Sequence, residues 1–206
     1  MTAVDTRLAE KPRHAEHPID PLFLERWSPR AFTDETIAEA ELLALFEAAR
    51  WAPSAYNAQP WRFLYARRDT PHWAKFLGLL VPFNQVWASR AAALIVLVSD
   101  PVFLPPGADK AVTLRSHSLD AGAAWASLAL QATRAGWRAH GMGGFDAERA
   151  ATELNVPASH TVELAIAIGR PGERSSLPEA YQAREFPSAR KPVAEFAFEG
   201  GFAAPG

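Results

Sequence analysis

A chain of 206 residues, 49% of them apolar and 21% charged, carries enough apolar material to bury the core of one ordinary soluble domain. Its net charge of −2 provides no basic field for nucleic acid, and the absence of cysteine excludes disulfides, thiolate metal sites, iron–sulfur clusters and a cysteine nucleophile. The longest apolar run, Ala91–Val98, has eight residues against the roughly 20 a membrane-spanning helix needs, so it reads as a buried strand.

Residues 1–18 are polar, include Pro12, His14, His17 and Pro18, and show neither periodicity nor the apolar run of a signal peptide. They read as an extended or disordered arm on a cytoplasmic protein. Asp20-Pro21 supplies an N-cap and a first-turn proline, predicting a short helix through Leu22, Phe23 and Trp27. At its end, Arg26-Trp-Ser28-Pro-Arg30 groups two guanidiniums and a hydroxyl around a proline-fixed bend. Guanidinium forks match phosphate geometry, although the same residues also suit a solvated basic turn.

Thr33–Arg50 reads as an amphipathic helix with its lead-in, through Leu42, Leu43, Leu45, Phe46 and Ala49. Next comes Trp51-Ala-Pro53-Ser54-Ala55-Tyr56-Asn57-Ala-Gln59-Pro60-Trp61, bracketed by two prolines. Pro53 closes the helix, and Pro60 is expected to hold Gln59 extended. The loop offers backbone amides, one hydroxyl and two carboxamides, which suits either a ligand-contacting loop or a plain connector to the strand Trp61–Ala66. Thr70-Pro71 begins another helix (Trp73, Phe76, Leu77, Leu80), and Val81–Trp87 is a loop leading into the buried strand. Residues 101–110, with Pro105-Pro106-Gly107, lack a regular pattern and are expected to form a mobile lid.

Thr113–Trp137 is a long helical run rich in small residues, which allow close backbone approach. His117 lies within it without a partner motif and is not assigned a catalytic role; His140 also stays without a role. A strand over 137–142 runs into Gly143-Gly144, where paired glycines let a backbone approach a flat ligand, or simply connect to the helix capped by Asp146. Thr161–Ile168 is a further buried strand, and the tail beyond Gly172 is polar and punctuated by proline, with Ser188-Ala-Arg190-Lys191-Pro192 inside it. Phosphate-loop, nucleophile-elbow, zinc-helix and dinucleotide G-x-G-x-x-G motifs are all missing, and no internal repeat is found.

Taken in order, R-x-S-x-R-x-F (residues 26–32), A-P-S-x-x-N-x-Q-P-W (52–61) and G-G-F-D (143–146) resemble the FMN-dependent nitroreductase family, with the likeness running from about Ile19 to Pro192. The resemblance implies an α+β fold: a central, mostly antiparallel sheet (strands near 61–67, 92–99, 137–142 and 161–169) covered by helices. It also implies an intertwined homodimer whose centre is the long small-residue helix. One FMN-binding domain would span 19–192, and residues 193–206, with Phe196, Phe198 and Phe202, would pack on the partner subunit.

By the same resemblance, Arg26 and Ser28 contact the FMN phosphate and ribityl chain, and Arg190 and Lys191 close on the phosphate; Ser188 departs from a pattern that places another cation there. Arg30 is the cation beside the flavin pyrimidine. Asn84 meets the ring edge, the Gly143 and Gly144 amides approach N5 and O4, and Met142 packs on the ring. Pro53, Ser54, Ala55 and Asn57 would come from the other chain. Tyr56, Phe83 and Trp87 would wall the substrate pocket, Trp87 replacing a basic residue of some relatives. The implied activity is ping-pong hydride transfer from NAD(P)H, a transient co-substrate, through flavin N5 to an electron-poor acceptor such as a nitroaromatic or quinone. Flavin-dependent dehydrogenation or dehalogenation, and flavin binding without turnover, stand as alternatives. No side-chain acid or base and no metal is required.

Overall fold

The computed structural model describes residues 10 and 12–202. Its helices are α1 (Leu22–Glu25), α2 (Glu39–Arg50), α3 (Trp73–Gly78), α4 (Pro82–Ala88), α5 (His117–Arg134), α6 (Ala147–Glu153) and α7 (Glu179–Gln182). Its strands are β1 (Trp61–Arg67), β2 (Ala93–Ser99), β3 (Val102–Phe103), β4 (Val112–Thr113), β5 (Arg138–Met142) and β6 (Thr161–Gly169). The main sheet has the order β1-β2-β6-β5, and each of its pairings is antiparallel. This is the expected α+β architecture.

Side-chain alternation on β2 sorts the core into two layers. Ala93, Ile95 and Leu97 face one side, where Leu42, Leu45 and Ala49 of α2 and Ala121, Ala124, Leu128 and Ala132 of α5 cover them. Leu94, Val96 and Val98 face the other, beneath Phe76 and Leu79 near α3 and Trp87 and Ala88 of α4. β2 is buried throughout because both faces are covered, which is why it reads as an unbroken apolar run. The Glu41 carboxylate reaches back to the Ala38 N–H (3.2 Å) and fixes the start of α2. No described helix is long and apolar enough to cross a membrane.

The inward face of α5 is used within this chain: Ala121, Ala124 and Ala132 are fully buried against α2 and the sheet. Its outer face exposes Leu119, Gly122 and Ala126. Residues 12–18 have neither helix nor strand but are pinned to the body, whereas residues 1–9 and 11, and 203–206 of the expected tail, lie outside the described residues.

Several local expectations are corrected. Gln59 has φ +50 and is not extended, because Ser54 Oγ accepts its N–H (3.0 Å) and tightens the loop; Tyr56 and Asn57 also have positive φ. Residues 101–110 are not patternless: β3 and β4 pair antiparallel and Leu114 N–H donates to Pro101 O (2.7 Å), so the segment is a hairpin arm with Gly107 at φ +78 near its tip. Asn84 sits in a helix, not a loop, since Pro82 starts α4 and Asn84 N–H donates to Val81 O.

Candidate functional site

The arginine motif is held from three directions. Phe32 is 1% exposed and bridges to Pro171, with Thr33 N–H donating to Arg170 O (3.0 Å) and Gly172 N–H to Ala31 O (2.8 Å). A Cβ on Gly169 would lie 2.5 Å from the Phe32 ring, so glycine at the end of β6 is what admits the phenylalanine. Glu185, fully buried just after α7, accepts the backbone N–H groups of Arg30 (2.9 Å) and Ala31 (2.8 Å). His140 on β5 donates from Nδ1 to Pro29 O (2.9 Å); a carbonyl only accepts, so the proton is on Nδ1. The His140 ring packs on Trp87 with centroids 4.6 Å apart.

The result is a cavity of about 260 Å³ lined by Arg13, Arg26, Arg30, Arg184 and Arg190 together with Ser28 and His140, without one carboxylate among its lining residues. Mutual repulsion is visible in the basicity of these groups. Burial, then Arg190 and Arg26, lower Arg13 to about 10, and burial, then Arg190, lowers Arg26. Burial, opposed by the hydrogen bond to Pro29, lowers His140 to about 4, so its imidazole is neutral at pH 7. A second cavity of about 410 Å³ adjoins, lined by Trp125, Ala129, Leu130, Gly141 and Leu164. Arg26 and Ser28 line both, so a cavity rich in arginine lies next to a largely apolar one.

The other sequence-predicted residues divide. Asn84 Nδ2 donates to Gly144 O (2.9 Å) and its Oδ1 accepts from Trp87 Nε1 (3.3 Å), so Asn84 shapes the Gly143-Gly144 turn. The carbonyl of Gly144 also accepts from Val81 N (3.1 Å), whereas the Gly143 and Gly144 N–H groups have no acceptor among the described residues. A Cβ on Gly144 would meet Asn84 Nδ2 at 2.6 Å, but one on Gly143 would meet nothing within 4 Å. Met142 and Trp87, expected to pack on the ring and wall the pocket, are 3% and 1% exposed; strand alternation and the inward face of α4 send both side chains into the core.

Pro53, Ser54, Ala55 and Asn57 line neither cavity. Their loop is tied to α5 by the buried Asp120, which accepts from Ala55 N–H and from Ser116 Oγ, both at 3.1 Å. Tyr56 is exposed and stacks on Phe103 of the hairpin arm (6.0 Å), and Phe83, also exposed, stacks on Tyr181 (4.6 Å). Arg190 enters the arginine cavity with its Nη1 steadied by Ser188 Oγ (2.9 Å), but Lys191 turns away to Glu195 (3.6 Å) and lies outside it. His117 joins a polar cluster elsewhere, its Nδ1 2.7 Å from Ser99 Oγ, while Ser118 Oγ donates to Glu163 (2.7 Å). Arg13, Arg184 and Glu185 were missed by sequence reasoning; no local pattern marks a lone charged residue that acts across more than a hundred positions. No cluster of three or more metal-ligating side chains occurs among the described residues.

Fold and site together define an α+β protein with an arginine-lined cavity and a largely apolar one at the edge strand of an antiparallel sheet. A family model described as the nitroreductase family matches residues 24–77. A Streptomyces coelicolor protein named an NADH dehydrogenase/NAD(P)H nitroreductase is 30% identical over 169 residues, covering 73% of this chain and 81% of its own length. The NADH dehydrogenase of Thermus thermophilus is 29% identical over 194 residues, covering 81% and 91%. A crystal structure described as an oxidoreductase containing FMN superimposes with a TM-score of 0.89 at 45% identity, over 94% of this chain and 97% of that one. The chain belongs to the nitroreductase family, a family of oxidoreductases.

Proposed function

We propose that the protein is an FMN-dependent oxidoreductase that takes reducing equivalents from NADH or NADPH and delivers them to an electron-poor acceptor such as a nitroaromatic or a quinone. The observation that carries this reading is the pair of neighbouring cavities that share Arg26 and Ser28: a carboxylate-free arginine chamber suited to a phosphate, beside an apolar space suited to a ring system. The similar crystal structure at 45% identity contains FMN, and the relatives' names couple the scaffold to NADH and NAD(P)H.

FMN, when bound, supplies the two-electron chemistry. The chain's own groups bind and bias it. Arg26, Arg190 and the Ser28 hydroxyl suit the phosphate end, since guanidinium forks pair with phosphate oxygens. Arg30, whose backbone N–H is held by Glu185, would supply a positive charge to stabilise the negative charge that reduction leaves on the ring. The free N–H groups at Gly143 and Gly144 offer donors to a ring edge, and Asn84 holds that turn in shape. The neutral His140 adds no further charge, so the field in the chamber is set by the arginines. None of these groups is asked to act as an acid or base.

A homodimer belongs to the same proposal. The outer stripe of α5 (Leu119, Gly122, Ala126) and the exposed Phe196, Phe198 and Phe202 are the apolar surfaces it would cover, and the Pro53–Asn57 loop would reach the site from the second chain. The test is the absorption spectrum of the purified protein, followed by anaerobic addition of NADH and then NADPH. Flavin bands that bleach support the reductase. Bands that persist with both donors would refute NAD(P)H as reductant and leave a flavin-binding protein or a dehydrogenase reduced by its own substrate. A colourless protein that also fails to take up FMN would refute the cofactor.

A further inference from the structure

We propose that Arg13, on the arm preceding α1, is a phosphate ligand of the arginine cavity, so that the arm and the C-terminal tail close together on the anionic end of the cofactor. This rests on the FMN reading above and adds to it a residue outside the R-x-S-x-R motif.

The geometry of Arg13 is that of an anchored ligand rather than a surface cation. Its Nη1 donates to Leu24 O (3.1 Å) and Arg26 O (2.7 Å), and its Nε donates to Ser188 O (3.1 Å). A guanidinium has five N–H donors in a rigid plane. Three are spent on backbone carbonyls, which fixes that plane; the two on Nη2 have no acceptor among the described residues. Because the anchors are neutral carbonyls, none of them cancels the charge.

The electrostatics point the same way. Arg13, Arg26 and Arg190 crowd a cavity that no carboxylate lines, and burial first, then the two neighbouring arginines, makes Arg13 less basic than usual. Glu10 and Glu16, each three residues from Arg13, are turned elsewhere, Glu16 to the Val193 N–H (2.9 Å) and Glu10 to Arg174 (3.4 Å). A link between arm and tail needs no third guanidinium beside two others; a phosphate dianion relieves the repulsion among all three. Arg13 holds Ser188 O, two residues before Arg190, so a phosphate that engages both guanidiniums locks arm and tail in one act.

The experiment compares dissociation constants for FMN and for riboflavin, which lacks the phosphate, by quenching of flavin fluorescence in wild-type protein, Arg13→Ala and Arg13→Lys. Arg13→Ala is expected to weaken FMN about tenfold or more while changing riboflavin by less than about twofold, and Arg13→Lys to recover part of the loss as a point charge without the fork. An Arg13→Ala protein that binds FMN like wild type, or loses both flavins by the same factor, would overturn the role of Arg13 alone. Wild-type protein that binds neither flavin would overturn the FMN reading and this proposal with it.

Discussion

Glu185→Ala tests the reasoning that a single buried carboxylate holds the arginine motif in place. Glu185 is fully buried and its oxygens accept two backbone N–H groups, those of Arg30 (2.9 and 3.0 Å) and Ala31 (2.8 Å), from residues 155 and 154 positions away. Alanine leaves both donors without that acceptor, at about 1–3 kcal/mol each, and Ala31, itself fully buried, cannot turn to water. With the volume lost, the expected destabilisation is about 2–5 kcal/mol. In a protein of this size each kcal/mol lowers Tm by about 2–4 °C, so the melt should fall by roughly 4–20 °C. Glu185→Gln keeps a carbonyl oxygen for the same donors and should lose less than half as much. The assay is thermal unfolding followed by far-UV circular dichroism at pH 7. A Glu185→Ala melt within about 2 °C of wild type would show that the clamp contributes little, and that the motif is held by Phe32 and the Pro171 bridge instead.

Three further outcomes are expected. His140 is held neutral, with its pKa lowered to about 4 against 6.5 for the free side chain. The unfolded chain therefore takes up a proton first as pH falls, and stability is lost between about 6.5 and 4, by at most roughly 3 kcal/mol. Chemical denaturation at pH 7 and pH 4.5 should show this acid-side loss reduced in His140→Gln, and an equal loss in both proteins would refute it. Gly144→Ala should displace Asn84 and lower the melting temperature, whereas Gly143→Ala, whose added methyl meets no protein atom within 4 Å, should leave the melt nearly unchanged; the reverse order would contradict the geometry. Asp120→Ala should cost about 1–3 kcal/mol and raise hydrogen exchange at the Ala55 amide, since that N–H loses its acceptor. Unchanged exchange there would mean the 54–59 loop is held by its internal Ser54–Gln59 bond alone.

How far the amino-acid sequence reached can be judged element by element. The strands of the main sheet fall at 61–67, 93–99, 138–142 and 161–169, within a residue at each expected boundary; 61–67, 93–99 and 161–169 are rich in apolar or aromatic residues, a local signal, whereas 138–142 (Arg-Ala-His-Gly-Met) is marked mainly by the Gly143-Gly144 turn it runs into. Arg26, Ser28, Arg30 and Arg190 were legible from their motif spacing, and all four line one cavity. Residue type alone left these arginines equally suited to a solvated turn, and it was the family resemblance that implied a phosphate contact. What spacing could not supply was direction. Trp87 and Met142 carry the right chemistry for a pocket wall but face the core, because the rotation of α4 and the pleat of β5 are settled by packing. Gln59 escaped the rule for residues before proline because one hydroxyl five positions back closes its loop. Arg13, Arg184 and Glu185 lay beyond local reading altogether. A charge acquires meaning from what surrounds it, and only the folding of the arm and the C-terminal tail onto the β5 end of the sheet brings these three to the motif they serve.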